Sequence, residues 1–181
     1  MSAALRRNVE LKAHDPHPAR TLGRCLRLPA EDQGELWQRD TYFSASRGRL
    51  KLREQPPGNA QLIHYERDMG RAQRVSRYKI VEVRDADTLR SVLADALEVR
   101  VTVVKRRRLL LWQSVRIHLD AVEDLGSFIE LEAVAEPSSD LRLEYRQVAA
   151  LRESLEITDD LLIAAGYAEL LRNAEAGRAA I

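Results

Sequence analysis

The stretch of sequence that decides the fold is Val115 to Val134, which reads VRIHLDAVEDLGSFIELEAV. In its first half, Arg116, His118 and Asp120 alternate with apolar residues, and in its second half two glutamates do the same. Successive side chains of a β-strand point to opposite faces. The pattern therefore predicts a hairpin with one apolar face and one ionisable face.

Similar strand-like alternation recurs along the chain, at residues 7–13, 38–44, 49–54, 61–68, 75–83 and 99–112. Leucine spacing and capping residues predict helices at 19–28, 86–97, 140–155 and 161–174, the last interrupted near Gly166. The polar stretch 29–36 is expected to be a loop. About eight strands with short connections predict an α+β domain dominated by an antiparallel sheet.

Length and composition set the class of protein. The 181 residues predict a single domain over 1–181, with a core of about 7–172. A formal net charge of +1 argues against a general nucleic-acid binder. The single Cys25 excludes an internal disulfide, and the longest apolar run near the middle, Leu109 to Trp112, is too short to span a bilayer. A cytoplasmic protein without nucleic-acid or membrane partners is expected; the sequence allows a homodimer without requiring one.

The charged side of the strands can lie on either face of the sheet. In an open sandwich, the apolar side is buried and the charges meet water, where ion pairs are common. Alternation taken alone favours this arrangement. In a closed barrel, the apolar side would point outward beneath the helices and the charges would point inward.

A charged interior would have chemical consequences. Confined cations need an anion, and several Arg and Lys side chains suit phosphate. Carboxylates beside phosphate in turn need a hard divalent cation, because Mg²⁺ or Mn²⁺ takes both kinds of oxygen. The barrel alternative therefore predicts a site for a metal and a polyphosphate.

Several motifs in order along the chain resemble the CYTH family, whose hallmark is Glu-x-Glu-x-Lys near the N-terminus. The corresponding segments here are Asn8–Lys12, Gly48–Arg53, Tyr65–Arg67, Lys105-x-Arg107, Arg116–Asp120, Leu125–Glu132 and Tyr167–Leu171. The family, also called triphosphate tunnel metalloenzymes, includes class IV adenylyl cyclases, thiamine triphosphatases and inorganic tripolyphosphatases. The resemblance favours the barrel over the open sandwich.

The resemblance implies an eight-stranded antiparallel β-barrel with a charged interior and flanking helices, which binds a triphosphate together with Mg²⁺ or Mn²⁺. The implied metal ligands are Glu10, Asp120, Glu130 and Glu132. The implied triphosphate contacts are Arg49, Lys51, Arg53, Arg67, Arg74, Lys105, Arg107 and Arg116. Lys12 and Glu10 are expected to be catalytic. His118 shares the ionisable side of its strand, but a buried hydrogen-bonding role is expected for it.

One position departs from the hallmark: Asn8 stands where the first glutamate is expected, and an amide lacks a carboxylate's charge. The expected function is a metal-dependent enzyme acting on a triphosphate, like a class IV adenylyl cyclase that converts ATP to cyclic AMP and pyrophosphate. The first alternative is a triphosphatase acting on tripolyphosphate, thiamine triphosphate or a nucleoside triphosphate. The second, suggested by Asn8, is a protein that binds polyphosphate or nucleotide without turnover.

Overall fold

Eight antiparallel strands close into a barrel in this computed structural model, which describes residues 4–70 and 72–179. The strands are β1 (Arg6–His14), β2 (Glu31–Phe43), β3 (Arg49–Gln55), β4 (Asn59–Arg67), β5 (Arg74–Val83), β6 (Val99–Trp112), β7 (Val115–Val122) and β8 (Gly126–Ala135). Their order around the barrel is β1-β5-β4-β3-β2-β6-β7-β8. The α+β class and the eight-stranded antiparallel barrel are thereby confirmed.

The hairpin of β7 and β8 sets which side of the sheet is charged. Arg116 pairs with Glu132 and His118 pairs with Glu130, so the ionisable residues of both strands share one face. The connecting turn is made by Asp124 and Gly126, whose positive φ angles of 62° and 91° reverse the chain. The residues of this shared face line the cavity inside the closed barrel, so the charged face points inward. The open-sandwich alternative is wrong.

The apolar side of the same wall points outward and is covered by a helix. Val9, Leu11, Ile117 and Leu131 are fully buried in one cluster with side chains of α3 (Arg142–Ser154). Burying each such side chain contributes about 1.5–3 kcal/mol to folding. The main apolar core therefore lies outside the barrel, between the β-wall and α3.

Three further helices flank the barrel: α1 (Pro18–Cys25), α2 (Ala86–Ala96) and α4 (Tyr167–Ala179). The carboxylate of Asp85 accepts a hydrogen bond of 3.0 Å from the amide of Thr88 and so caps the N-terminus of α2. None of the helices in the described part of the chain is long and apolar enough to cross a bilayer.

One local prediction was wrong and another was only partly right. Residues 29–36 were expected to form a loop, but β2 begins at Glu31 and pairs with β6 along its whole length. A register shift between Asp32 and Glu35 interrupts this pairing, and the polar composition reflects an exposed strand end. The helix predicted at 161–174, with an interruption near Gly166, is confirmed only from Tyr167 onward, as α4; before it the chain forms a 3₁₀ turn, Asp159–Leu161, and an extended segment. The amide of Ile163 donates to the carbonyl of Lys12, which ties this extended segment to β1 rather than to a helix.

Candidate active site in the barrel interior

The barrel encloses a cavity of about 380 Å³, called the tunnel below. It is lined by inward-facing side chains of all eight strands. The basic members are Arg6, Lys12, Lys51, Arg53, Arg67, Lys105, Arg107 and Arg116, and the acidic members are Glu10, Glu130 and Glu132. Because the tunnel is narrow and its walls are buried, charge interactions inside it are screened less than on the surface.

The carboxylates form one wall, on β1 and β8. Strand register places Glu10 opposite Glu132 and Lys12 opposite Glu130. The Lys12 ammonium lies 3.3 Å from a Glu130 oxygen, and the Asn8 amide donates to Glu132. Glu130 is thus paired with a cation along this wall, whereas Glu132 faces the Asn8 amide and a second carboxylate.

Glu10 lies against two guanidinium groups. Its Oε1 lies 2.6 Å from Arg67 Nε and accepts a 3.0 Å hydrogen bond from Arg74 Nε. Even so, burial raises the pKa of Glu10, and repulsion from the Glu130 carboxylate adds to burial and outweighs the attraction of the two guanidiniums. Glu10 is thus a carboxyl group that readily takes up a proton or a cation.

Asp40 anchors the opposite wall. It accepts hydrogen bonds from Lys51 Nζ at 2.9 Å and from Arg53 Nε and Nη2 at 2.8 Å, and Lys105 Nζ lies 3.9 Å away. Burial opposes its ionisation, but Arg53 and Lys51 prevail and hold the pKa of Asp40 well below its usual range. The carboxylate keeps three cations together before any anion binds.

Asp120 holds Arg107 in place, as Asp40 holds Lys51 and Arg53. It accepts hydrogen bonds of 2.6 Å and 2.5 Å from Arg107 and one of 2.8 Å from the Tyr167 hydroxyl. Burial works against this charge, but Arg107 and Lys105 together lower the pKa of Asp120. The bidentate pair fixes the plane of the Arg107 guanidinium at the tunnel wall.

The buried lysines have lowered pKa values. Burial is the main cause for all three, and a neighbouring guanidinium adds to it: Arg67 for Lys12, Arg53 for Lys51 and Arg107 for Lys105. The pKa of Lys51 falls to about 8. An amine with such a pKa can exchange a proton near neutral pH.

The structure brings most of the predicted site residues together. Lys12, Glu10, Glu130, Glu132 and all but two of the predicted triphosphate contacts line the tunnel. Of the two exceptions, Arg74 is buried behind Glu10, and Arg49 lies at the rim, 3.6 Å from Glu169. Asp120 sits behind Arg107 rather than in the open lumen, so its role as a metal ligand stays a prediction.

Sequence reasoning missed several residues of the site. Asp40 is the main one, and its signal was a lone carboxylate in the middle of a predicted strand. His118 also lines the tunnel, with its ring nitrogens 3.7 Å from Glu130 and 3.9 Å from Glu132. Tyr167 was quoted only as part of a motif, yet its ring lies 3.4 Å from the Lys12 ammonium.

The carboxylate wall has the chemistry of a divalent-metal site. Among residues 4–70 and 72–179, no three acidic, histidine or cysteine side chains converge as a ready-made metal cage. Glu10, Glu130 and Glu132 nevertheless share a face on paired strands, and carboxylate oxygens are what Mg²⁺ and Mn²⁺ prefer. Within the described chain, Asn8 Oδ1 is buried beside them without a hydrogen-bond partner. These residues fit a divalent cation, which would take the place of the basic side chains that now pair with the carboxylates.

Comparison with known proteins agrees with the geometry. The chain matches the CYTH domain over residues 6–167, and it therefore belongs to the CYTH family. This family binds triphosphate substrates and is in general metal-dependent. A comparison with proteins of curated function found no match.

Solved structures share the fold. A Pyrococcus horikoshii protein superposes with a TM-score of 0.81 at 21% identity, covering 90% of this chain and 98% of its own. A Vibrio parahaemolyticus protein described as a "putative adenylate cyclase" gives 0.76 at 20% identity, covering 91% and 97%. A Bacillus halodurans protein with the same description gives 0.61 at 13%, covering 90% and 96%. At these identities the likeness establishes the fold alone.

Proposed function

We propose that the protein is an Mg²⁺- or Mn²⁺-dependent enzyme that cyclises ATP to cyclic AMP and pyrophosphate. One observation carries the proposal: basic side chains and a wall of carboxylates face each other across one enclosed tunnel. Arg and Lys side chains bind the oxygens of a triphosphate, and the carboxylates suit the metal that accompanies it. The descriptions of the Vibrio and Bacillus proteins support cyclisation as the reaction.

In this reaction the 3′-oxygen of ATP forms a bond to the α-phosphorus. The bond from that phosphorus to the α,β-bridging oxygen breaks, and its electron pair leaves with pyrophosphate. A divalent cation held by Glu10, Glu130 and Glu132 would supply Lewis-acid polarisation of the phosphate oxygens. Lys51, Arg53, Lys105 and Arg107 would hold the triphosphate and offset the charge that grows on the leaving group.

Lys12 is the proposed proton acceptor. Its amine is buried, lies on the carboxylate wall and has a pKa lowered by burial and by Arg67. The neutral fraction of this amine can take the proton of the attacking hydroxyl as the new bond forms.

The buried Lys12 amine with its lowered pKa also favours a second candidate function, that of a triphosphatase. If water rather than a ribose hydroxyl lies beside Lys12, the amine can take its proton while water attacks the terminal phosphorus. The products would then be orthophosphate and a diphosphate. The two reactions use the same tunnel and differ in which nucleophile it admits.

Purified protein incubated with Mn²⁺ or Mg²⁺ and either ATP or tripolyphosphate distinguishes these functions. Cyclic AMP and pyrophosphate are the expected products of ATP. Orthophosphate without cyclic nucleotide would mean that the protein hydrolyses its substrate and does not cyclise it. Tight binding without any product would support a non-catalytic binding protein.

A pair of lysine variants tests the role of Lys12. Lys12→Met should lower the turnover by about 10²–10⁴-fold, because it removes the proton acceptor. Lys79→Met is the matched control, since Lys79 is exposed on the outside of β5 and should leave the turnover unchanged. If the two variants changed the turnover equally, Lys12 would not be the proton acceptor.

A further inference from the structure

The chain has four histidines, all in its described part, and only His118 lines the tunnel. It is 6% exposed and lies opposite Glu130 on the paired strand β8. The sequence predicts a buried hydrogen-bonding role for it, but Nδ1 of its ring is buried and has no hydrogen-bond partner among the described residues. Because a polar atom left unpaired away from water costs free energy, this nitrogen needs a partner.

Two carboxylates flank the ring of His118. Nδ1 lies 3.7 Å from Oε2 of Glu130, and Nε2 lies 3.9 Å from Oε2 of Glu132. Both separations are too long for a hydrogen bond. They are short enough for a shared ion, since two ligands that each lie about 2.1 Å from one metal ion can be up to about 4.2 Å apart. The separation of Nδ1 from Glu130 therefore suits a bridging metal ion.

Asn8 gives a second indication on the same wall. It is 2% exposed, its amide donates to Glu132, and its Oδ1 has no partner within the described part of the chain. Its neutral side chain stands where the CYTH hallmark has a glutamate, so the wall offers a cation one negative charge fewer. Mg²⁺ depends on oxygen ligands, whereas first-row transition ions also accept an imidazole nitrogen. The ligands present here therefore favour a transition ion, and Mn²⁺ is the one that the family resemblance implies.

We propose that His118 is a metal ligand through Nδ1 and that it makes the site selective for Mn²⁺ over Mg²⁺. Nδ1 and Glu130 bind the ion from neighbouring strands. The proton of the neutral ring is then on Nε2, which faces the Glu132 carboxylate, and this contact orients the ring. The inference rests on the proposed function: it states which of the two metal ions the carboxylate wall holds and which residue selects it.

Pulsed EPR of bound Mn²⁺ tests the inference without any turnover. The sample is the full chain in nitrogen-free buffer with Mn²⁺ and a tripolyphosphate analogue whose bridging oxygens are replaced by methylene groups, so that it is not hydrolysed. Because this analogue contains no nitrogen, a ¹⁴N coupling to Mn²⁺ must come from the protein. The native protein should show this coupling, and ¹⁵N labelling of its histidines should convert it to a ¹⁵N coupling.

A matched pair of variants assigns the coupling and the selectivity to His118. Calorimetry with the same analogue should show that the native protein binds Mn²⁺ at least about tenfold more tightly than Mg²⁺. His118→Gln exchanges a nitrogen ligand for an amide oxygen. It should abolish the ¹⁴N coupling and weaken Mn²⁺ binding by about tenfold or more, while Mg²⁺ binding changes by less than about twofold. His17→Gln is the control and should change neither, since His17 is exposed at the start of α1.

The outcomes separate this inference from the proposed function. Bound Mn²⁺ without a ¹⁴N coupling in the native protein, a coupling that persists in the His118→Gln protein, or equal affinity for the two ions would overturn the inference and leave a site made of carboxylates alone. Failure of the native protein to bind either ion with the analogue would overturn the metal-dependent reaction and the inference together. The ¹⁵N labelling needs no variant, so it carries the test if the His118→Gln protein does not fold.

Discussion

Lys51 is a buried ammonium whose charge depends on pH near the physiological range. Burial first, and Arg53 second, lower its pKa to about 8. Below that pH the amine is protonated and can bind a triphosphate oxygen; above it the charge is lost. We therefore expect the affinity for tripolyphosphate to fall as the pH rises through about 8, measured by calorimetry between about pH 7 and pH 9.5.

Lys51→Arg is the control for this pH dependence. A guanidinium remains protonated throughout this range, so the variant should lose less affinity at high pH than the native protein. Identical pH profiles of the two proteins would mean that another group controls binding.

Asp40 holds together three cations that would otherwise repel one another. Asp40→Asn removes the only charge that offsets Lys51 and Arg53 directly, within the described structure. Breaking a buried ion cluster in this way should lower the free energy of unfolding by about 3–5 kcal/mol, measured by urea denaturation. Added tripolyphosphate should restore part of the loss, because it supplies the missing negative charge.

Asp68→Asn is the comparison for this loss of stability. Asp68 pairs with Arg77 at 2.7 Å, but its side chain is 50% exposed, and such a pair contributes less than about 1 kcal/mol. An equally small loss for Asp40→Asn would show that the buried cluster is not required for folding.

The wall formed by β1, β7 and β8 lines the tunnel on its inner side and packs against α3 on its outer side. A substitution in α3 can show whether the two sides act independently. Leu151 of α3 is 1% exposed and packs on the outer, apolar side of this wall. Leu151→Ala should destabilise the protein by about 2–5 kcal/mol through cavity formation, measured by urea denaturation. It should leave tripolyphosphate affinity unchanged under native conditions, because the tunnel lies on the other side.

Leu143→Ala on the same helix provides the matched control. Leu143 is 53% exposed, so its truncation should change stability by no more than about 0.5 kcal/mol. A large loss of tripolyphosphate affinity in the folded Leu151→Ala protein would contradict the separation of the two faces.

At the level of elements, the sequence correctly predicts strands whose apolar and polar residues alternate clearly. It does not predict the secondary structure of segments whose conformation is set by contacts with distant parts of the chain. The hairpin of β7 and β8 shows a strict two-residue period, and its bounds were predicted closely. The polar residues at the start of β2 show no such period; pairing with β6 makes them a strand. The segment after Leu161 has helical composition, but its hydrogen bond to Lys12 draws it along β1 instead.

At the level of the whole molecule, alternation could not decide whether the charges face inward. That depends on β1 pairing with both β5 and β8, which are far apart in sequence. The motif resemblance supplied this information. Asp40 still escaped notice, because its role arises from the pairing of β2 with β3, and nothing in the local sequence indicates three cations around it.

Closing of the barrel gathers more basic than acidic side chains around the tunnel, although the whole chain is nearly neutral. Among the described residues, eight basic side chains line the tunnel, and five carboxylates lie in or directly behind its wall: Glu10, Asp40, Asp120, Glu130 and Glu132. The formal net charge of the whole chain is only +1. The folded barrel, unlike the unfolded chain, therefore holds these cations close together around one cavity.

A ligand that binds only the folded state stabilises it by mass action. Tripolyphosphate at a concentration about 100 times its Kd should therefore add about 2.7 kcal/mol and raise Tm in a concentration-dependent way, measured by differential scanning calorimetry. Sodium chloride at matched ionic strength should raise Tm much less, because salt screens enclosed charges weakly and cannot bridge several cations at once. An equal rise in both solutions would mean that the tunnel provides general charge screening rather than a specific site for a polyanion.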